Sequence, residues 1–408
     1  MLLVGVDWAE AEHAVCLVAA TGAVLHRLKV PHTAAGLRRL HATIGEREAD
    51  AAAVLVAVER PDGLLVEGLL AAGYTLYALN PTAVERYRAR TRTAGAKTDL
   101  ADAELLARIL LTDRERHRPL QPSSPELQEL RAIARDDERA CRDERRLLNR
   151  LRHDLLAVFP QAVEAFPDLA TVTALAFLAR WPTAAEARGA SADELAAVLE
   201  EHRHGWARRA TARIRHALAT DALVAPAPLV QAKAGTIRLA AEQLLLLHRQ
   251  RRRWEARLRE LLGGEAAHPD GEILLSLPGL QARLAARVLG EIGDRRERFP
   301  TPAALQCYAG TAPVTRAPGR ARVVSARLAC NRLLRQSLLQ WAFCSLRTSP
   351  WARAFYDAQR ARGTTHFKAL RALANRWLEI LHHLLVAHQR YDETIHQRNR
   401  SKPLLTAA

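Results

Sequence analysis

LLVGVDWAEAEHAVCLVAATGAVLHRLKVP, residues 2–31, reads as three apolar strands joined by tight turns. LLVGVDWA is followed by HAVCLVAA, a Thr21-Gly22 turn and VLHRLKV, the pattern of an antiparallel meander. Downstream, GLRRLHATIGE has helical spacing, and AAAVLVAVE is a nearly unbroken apolar run, as a central buried strand requires. GLLVEGLLAAG is helix-like and leads through Gly73 into YTLYALNP, a last strand stopped by Pro81. Thr98 is placed to cap a helix over DLADAELLARILL, with two aspartates in its first turn.

The resulting order, βββαβαβα, is that of an RNase H-like fold. Four carboxylates stand at the ends of these runs: Asp7, Glu59, and the pair Asp99 and Asp102. Asp99 and Asp102 are three apart on a helix, hence on one face. Mg²⁺ or Mn²⁺ takes oxygen ligands, and two such ions about 4 Å apart serve phosphodiester chemistry. Taken singly, each carboxylate has a plainer reading. Asp7 closes a strand as surface acids often do, Asp99 complements a helix dipole, and Glu59 sits beside Arg60 as in a surface ion pair. Their order within one topology is what joins them. A nucleotide-phosphate site of the actin and sugar-kinase type would need a Gly/Ser/Thr hairpin after the first-strand aspartate. Trp8, Ala9 and Glu10 stand there instead, and Glu10 would repel a phosphate.

Lys+Arg outnumber Asp+Glu by 60 to 44, a formal net charge of +16, which suits a polyanionic partner. An anionic membrane surface is the weaker of the two partners such charge suits, the other being nucleic acid, since no uncharged run reaches the roughly 18–20 apolar residues of a span. MLLVGVDWAE runs directly into the strand pattern, so no secretory leader is expected. Five scattered cysteines without a C-x-x-C read as small hydrophobes in a reducing cytoplasm.

Pro119, Pro122 and Pro125 mark a linker. Beyond it Leu127, Leu130, Ala134, Cys141, Leu148, Leu151 and Leu155 follow three–four spacing, with Asp137 and Glu144 intruding on the seam. A second stretch places Ile237, Ala240, Leu244, Leu247, Trp254, Leu258 and Leu261 on one face. Two helices packing within one chain and a dimer seam both fit. Residues 160–230 read as short helices broken by prolines. EILLSLPGLQARLAARVLGEIGD resembles a helix–hairpin–helix whose turn, at Pro278 and Gly279, would offer N–H groups to a DNA phosphate; the usual second glycine is Gln281. Trp341, Trp351 and Trp377 fit core positions better than base-stacking platforms.

The blocks GVDWAEAEHAVCLV, VAVER and AKTDLADAELLARIL resemble the N-terminal part of bacterial DEDD transposases of the insertion-sequence "one-ten" family. LLSLPGLQARLAARVLGEIGDRRERFPTPAALQCYAGTAPVTRAPGR, RLACNRLLRQSLLQWAF and SPWARAFYDAQRARG resemble its C-terminal part. The resemblance implies a RuvC-like α/β nuclease domain over 1–118, a helical, coiled-coil dimerisation region over 119–268, and a mainly α transposase domain over 269–395. It also implies metal-dependent DNA strand cleavage and exchange, guided by an element-encoded RNA, by a homodimer or higher homo-oligomer. The family's D-E-D-D set falls on Asp7, Glu59, Asp99 and Asp102. Tyr308, Ala309 and Gly310 match its Y-A-G signature, and Arg316 and Arg320 lie in the basic loop that follows. The family's nucleophilic serine in that loop aligns with Pro318, which has no hydroxyl; Ser325 is the nearest serine. An inactive nucleic-acid-binding relic and a hydrolytic RuvC-like endonuclease are therefore the alternatives.

Overall fold

The structure, a computed structural model, describes residues 1–91, 98–202, 207–265, 267–316 and 323–395. Cα packing divides the chain into two compact units, Met1–Pro122 and Ser123–Ala408.

The first unit is built on strands β1 (Leu2–Asp7), β2 (Glu12–Ala19), β3 (Val24–Pro31), β4 (Val54–Val58) and β5 (Thr75–Ala78). Their order in the sheet is β3-β2-β1-β4-β5. The first three strands run antiparallel, while β4 lies parallel to β1 and β5 parallel to β4. Helices α1 (Ala34–Gly45) and α2 (Leu64–Ala71) cover one face, where Leu40, Ile44, Leu65 and Leu69 pack on Val4, Val6, Val56 and Val58. Helix α3 (Pro81–Thr91) precedes α4 (Asp99–Asp113), and α4 covers the other face with Ala103, Leu106 and Leu110 against Leu3, Leu55 and Ala57. Coverage on both sides is why β1 and β4 are apolar almost throughout rather than alternating.

Among the described residues the second unit is helical apart from one hairpin. Two long helices, α5 (Pro125–Val158) and α11 (Ala227–Gly263), enclose α6 (Pro160–Ala165), α7 (Val172–Arg180), α8 (Ala184–Gly189), α9 (Ala192–Glu201) and α10 (Ala207–Ala219) in the chain order. They are followed by α12 (Gly271–Ser276), α13 (Ala282–Ile292), α14 (Pro302–Ala309), the hairpin β6 (Val314–Arg316) and β7 (Val323–Ser325), then α15 (Arg332–Ser345), α16 (Pro350–Ala361) and α17 (His366–Ala387). Helices α5 and α11 pack antiparallel within the chain: Glu129 meets Arg257 at 2.7 Å, Asp137 meets Arg251 at 2.9 Å, and Asp154 meets Lys233 at 2.6 Å. The acids that interrupt the seam are thus charge partners of the facing helix. Of the two arrangements compatible with the spacing, packing within one chain is what these helices do.

Each end of this pair builds a core. Leu151, Leu155, Ile237 and Leu244 join Phe177, Leu195, Ile214 and Leu218 of the short helices. Leu127, Leu130, Leu258 and Leu261 join Leu274, Leu289, Trp341, Leu373 and Trp377. The expected division at 268/269 therefore does not separate two cores, because the long helices contribute to both. Trp341 and Trp377 are fully buried with ring centroids 5.0 Å apart, as core residues. All five cysteines are free thiols.

Candidate active site

Backbone register brings the first two carboxylates together. Val6 and Val58 are partners on adjacent parallel strands, so Asp7 ends β1 beside Glu59, the residue that follows β4. Side chains alternate along a strand. Val4, Val6, Val56 and Val58 face α1 and α2, whereas Leu3, Leu55 and Ala57 face α4. Asp7 and Glu59 continue the second set and project toward α4. Trp8 and Arg60 continue the first, and the Arg60 guanidinium lies 4.3 Å from the Trp8 ring centroid. Arg60 also approaches Asp62 at 3.8 Å, so the surface pair considered for Glu59 is made by another acid.

A glycine determines how close α4 comes. A Cβ on Gly5 would stand 1.8 Å from the Ala103 carbonyl oxygen and 2.7 Å from the Ala107 nitrogen, so backbone lies directly on backbone. The first turn of α4 is held by Thr98, whose hydroxyl accepts from the Ala101 N–H at 3.3 Å. This contact carries Asp99 and Asp102 to the same end of β1 as Asp7. Asp99 is exposed; Asp102 is buried at 4% exposure and accepts a hydrogen bond from Arg88 Nε of α3 at 3.0 Å. A buried carboxylate needs such a countercharge. In kind, an all-oxygen donor set suits a hard divalent cation. In position the side chains do not yet converge: among the described residues, no group of three His, Cys, Asp or Glu could hold an ion. Arg88 was missed by sequence reasoning, as was Gly5, because neither belongs to a spacing pattern.

Other elements of the first unit sit on the opposite face of the sheet. His13 is buried, accepts the Ala9 N–H at 3.2 Å and lies 2.9 Å from His32. Burial and the neighbouring His32 lower the His13 pKa.

A DEDD transposase family of the IS110 type, described as Transposase, matches residues 4–160. A protein of Streptomyces coelicolor named as a mini-circle transposase for IS117 is 36% identical over 99% of this chain and 97% of its own length. The chain belongs to the IS110 family of DEDD transposases. The uncharacterized 43.6 kDa protein of insertion element IS110 from the same organism is 31% identical over 85% of each chain. That of IS900 from Mycobacterium paratuberculosis is 30% identical over 95% of this chain and 96% of its own.

The second IS110-family block, described as Transposase IS116/IS110/IS902 family, matches residues 271–357. Here Pro278 and Gly279 form a half-buried turn packed on α15. The Trp341 indole donates to the Pro278 carbonyl at 3.0 Å, and a Cβ on Gly279 (φ +82°) would lie 2.7 Å from the Ser345 nitrogen. Tyr308, Ala309 and Gly310 end α14, with Gly310 left-handed at φ +71°. Asn331 donates from Nδ2 to the Tyr308 hydroxyl at 2.8 Å and to Glu291 at 2.7 Å, tying together the two roots of the β6–β7 hairpin. The sequence suggested only a basic loop here. Arg316 is the last residue of β6, while Pro318 and Arg320 lie outside the described residues. Ser325 is exposed in β7, opposite Val314.

Proposed function

We propose that this chain is an insertion-sequence transposase whose first unit, an RNase H-like and RuvC-like domain, cuts DNA at Asp7, Glu59, Asp99 and Asp102. The observation that carries this is the backbone arrangement: Asp7 stands beside Glu59 on the α4 face of the sheet, and the α4 backbone lies directly against Gly5. Strand order β3-β2-β1-β4-β5 is also the order an RNase H-like sheet has. Mg²⁺ or Mn²⁺ bound there would activate the attacking oxygen and stabilise the leaving oxygen of a phosphodiester. Asp7 at the end of β1, Glu59 after β4, and Asp99 and Asp102 at the start of α4 would hold the ion through their carboxylate oxygens. Arg88 pairs with Asp102 at 3.0 Å and balances its buried charge.

The remaining features that the family resemblance implies belong to the same proposal. The net charge of +16 suits both DNA and an element-encoded guide RNA. Gln281 makes no side-chain cap on α13, which leaves the first turn beside Pro278 and Gly279 suited to a phosphate, with Arg316 and Arg320 as further contacts. Leu239 and Leu246, seven apart on α11 and 55% and 60% exposed, suit a homo-oligomer contact. A cytoplasmic enzyme acting on chromosomal DNA accords with five unpaired thiols. No helix among the described residues is long and apolar enough to cross a membrane.

Proline at 318 favours a second reading, in which the first unit hydrolyses DNA without a serine adduct, or the chain only binds it. A denaturing gel of labelled donor DNA, with RNA transcribed from the flanking region, separates them. Mg²⁺-dependent cleavage should appear with the wild type and fall at least about a hundredfold in Asp7→Asn. Pro318→Ser should create or raise a covalent protein–DNA adduct. Binding without cleavage in the wild type would reduce the chain to a nucleic-acid-binding relic.

A further inference from the structure

Among the described residues, Phe343 and Phe367 are the only exposed Phe, Trp or Tyr in the chain, at 54% and 68%. They belong to different helices, α15 and α17, yet both lie against one ring, that of His366. Ring centroids are 6.3 Å apart for Phe343 and His366 and 5.1 Å apart for His366 and Phe367, with interplanar angles of 84° and 65°. Tyr356 of α16 fixes the imidazole: its hydroxyl lies 2.7 Å from His366 Nδ1. Three helices thus hold one cluster of rings at the surface, whereas Trp341, Trp351 and Trp377 of the same helices lie in the core. A single exposed phenylalanine would need no explanation; two that share a third ring form a contiguous patch.

The surrounding sequence selects the occupant. From Arg332 to Leu378, a stretch that includes α15, α16 and the first half of α17, the one acidic residue is Asp357, and it pairs with Arg353 at 2.8 Å. Arg347 follows Phe343 just past the end of α15. Lys368 and Arg371 follow Phe367 within about one turn of α17. A second copy of the chain on this face would set like charges against each other, which opposes pairing. Aromatic rings among basic residues suit a single strand of nucleic acid, whose nucleobases stack on the rings while its phosphates meet the cations. Bases inside a duplex already stack on their neighbours, so only unpaired ones are free to do this.

We propose that Phe343, His366 and Phe367 form a stacking site for unpaired nucleobases of single-stranded DNA. Every base has a π face, so the site takes a strand without reading its sequence. Arg347, Lys368 and Arg371 supply the cations for its phosphates. DNA is the strand assigned because cutting a duplex frees ends that can unpair; this rests on DNA being the substrate of the first unit.

The test is binding of the full chain to labelled oligo(dT) and to an abasic strand of equal length, read by fluorescence anisotropy in EDTA so that no strand is cut. Phe343→Ala with Phe367→Ala should weaken oligo(dT) binding by roughly tenfold or more and leave the abasic strand bound as before. The slope of log affinity against log salt should stay, since no charge is removed. Phe343→Tyr with Phe367→Tyr should keep the affinity, and Phe343→Leu with Phe367→Leu, apolar but without a ring, should lose it. Melting temperatures should match the wild type, both rings being exposed. Unchanged oligo(dT) affinity in the Ala pair overturns the proposal, as does an equal loss on the abasic strand or full affinity in the Leu pair. A loss confined to oligo(rU) assigns the patch to RNA, and a change of oligomeric state in light scattering without nucleic acid assigns it to a second copy; either overturns it. Asp7→Asn should bind oligo(dT) as the wild type does, so a failure to cut and a failure to stack are read separately.

Discussion

Gly5 couples the sheet to helix α4. Its missing Cβ lets the Ala103 carbonyl lie where a methyl would be, 1.8 Å from the ideal Cβ position, and only backbone movement could make room. Overpacking of this kind costs about 1–3 kcal/mol and more when backbone is the obstacle. Gly5→Ala should therefore lower stability by about 3 kcal/mol, read from the urea midpoint, and reduce cleavage further than the stability loss explains, because Asp99 and Asp102 ride on the displaced helix. A variant as stable and active as the wild type would mean that α4 does not need this approach. The same scale shows what spacing conceals. Asp102 is one of two aspartates in a helix start, yet it alone is buried and paired, and its partner Arg88 lies fourteen residues earlier on another helix.

At the scale of elements, the polar contacts at the middle of the second unit join helices that the sequence keeps far apart. Asp137 of α5 meets Arg251 of α11 and Arg287 of α13, at 2.9 Å and 2.8 Å. Glu291 of α13 meets Arg135 of α5 at 2.8 Å and Asn331, the cap of α15, at 2.7 Å. Burial raises the Glu291 pKa, but the hydrogen bonds from Arg135 and Asn331 outweigh it and hold the carboxyl below its ordinary value. The unfolded chain therefore takes up this proton first as the pH falls. The stabilisation is complete above the usual glutamate value, about 4.3, and is lost as the pH drops through the lower folded value. Stability measured from pH 6 downward should fall more steeply in the wild type than in Glu291→Gln. Parallel acid limbs would show that the network contributes nothing through this carboxyl.

The whole molecule combines a sheet unit that carries the carboxylates with a helical unit built around one antiparallel pair. Since α5 and α11 satisfy each other within the chain, any self-association must use other surface. Leu239 and Leu246 offer it, two helical turns apart on the outer side of α11. Leu239→Glu with Leu246→Glu should convert an oligomer into monomers in light scattering without lowering the melting temperature of the monomer. An oligomer that persists would place the interface elsewhere.

Alternating and continuous apolar runs determined the first unit in advance. A strand buried on both faces must be apolar throughout, and a meander followed by β–α alternation leaves few ways to order the sheet. That is why the positions of Asp7, Glu59, Asp99 and Asp102 at strand ends and a helix start were legible from local pattern. Three–four spacing likewise showed two long helices, but an apolar stripe has no label for its partner. Only the tertiary structure decided that α5 packs on α11 of the same chain, through ion pairs such as Asp137–Arg251 separated by over a hundred residues. It alone revealed the β6–β7 hairpin, whose three-residue strands carry too little periodicity to register, and the burial of Asp102 against Arg88. Local sequence sets the period and chemistry of an element, whereas burial and charge pairing depend on which distant residues share its space.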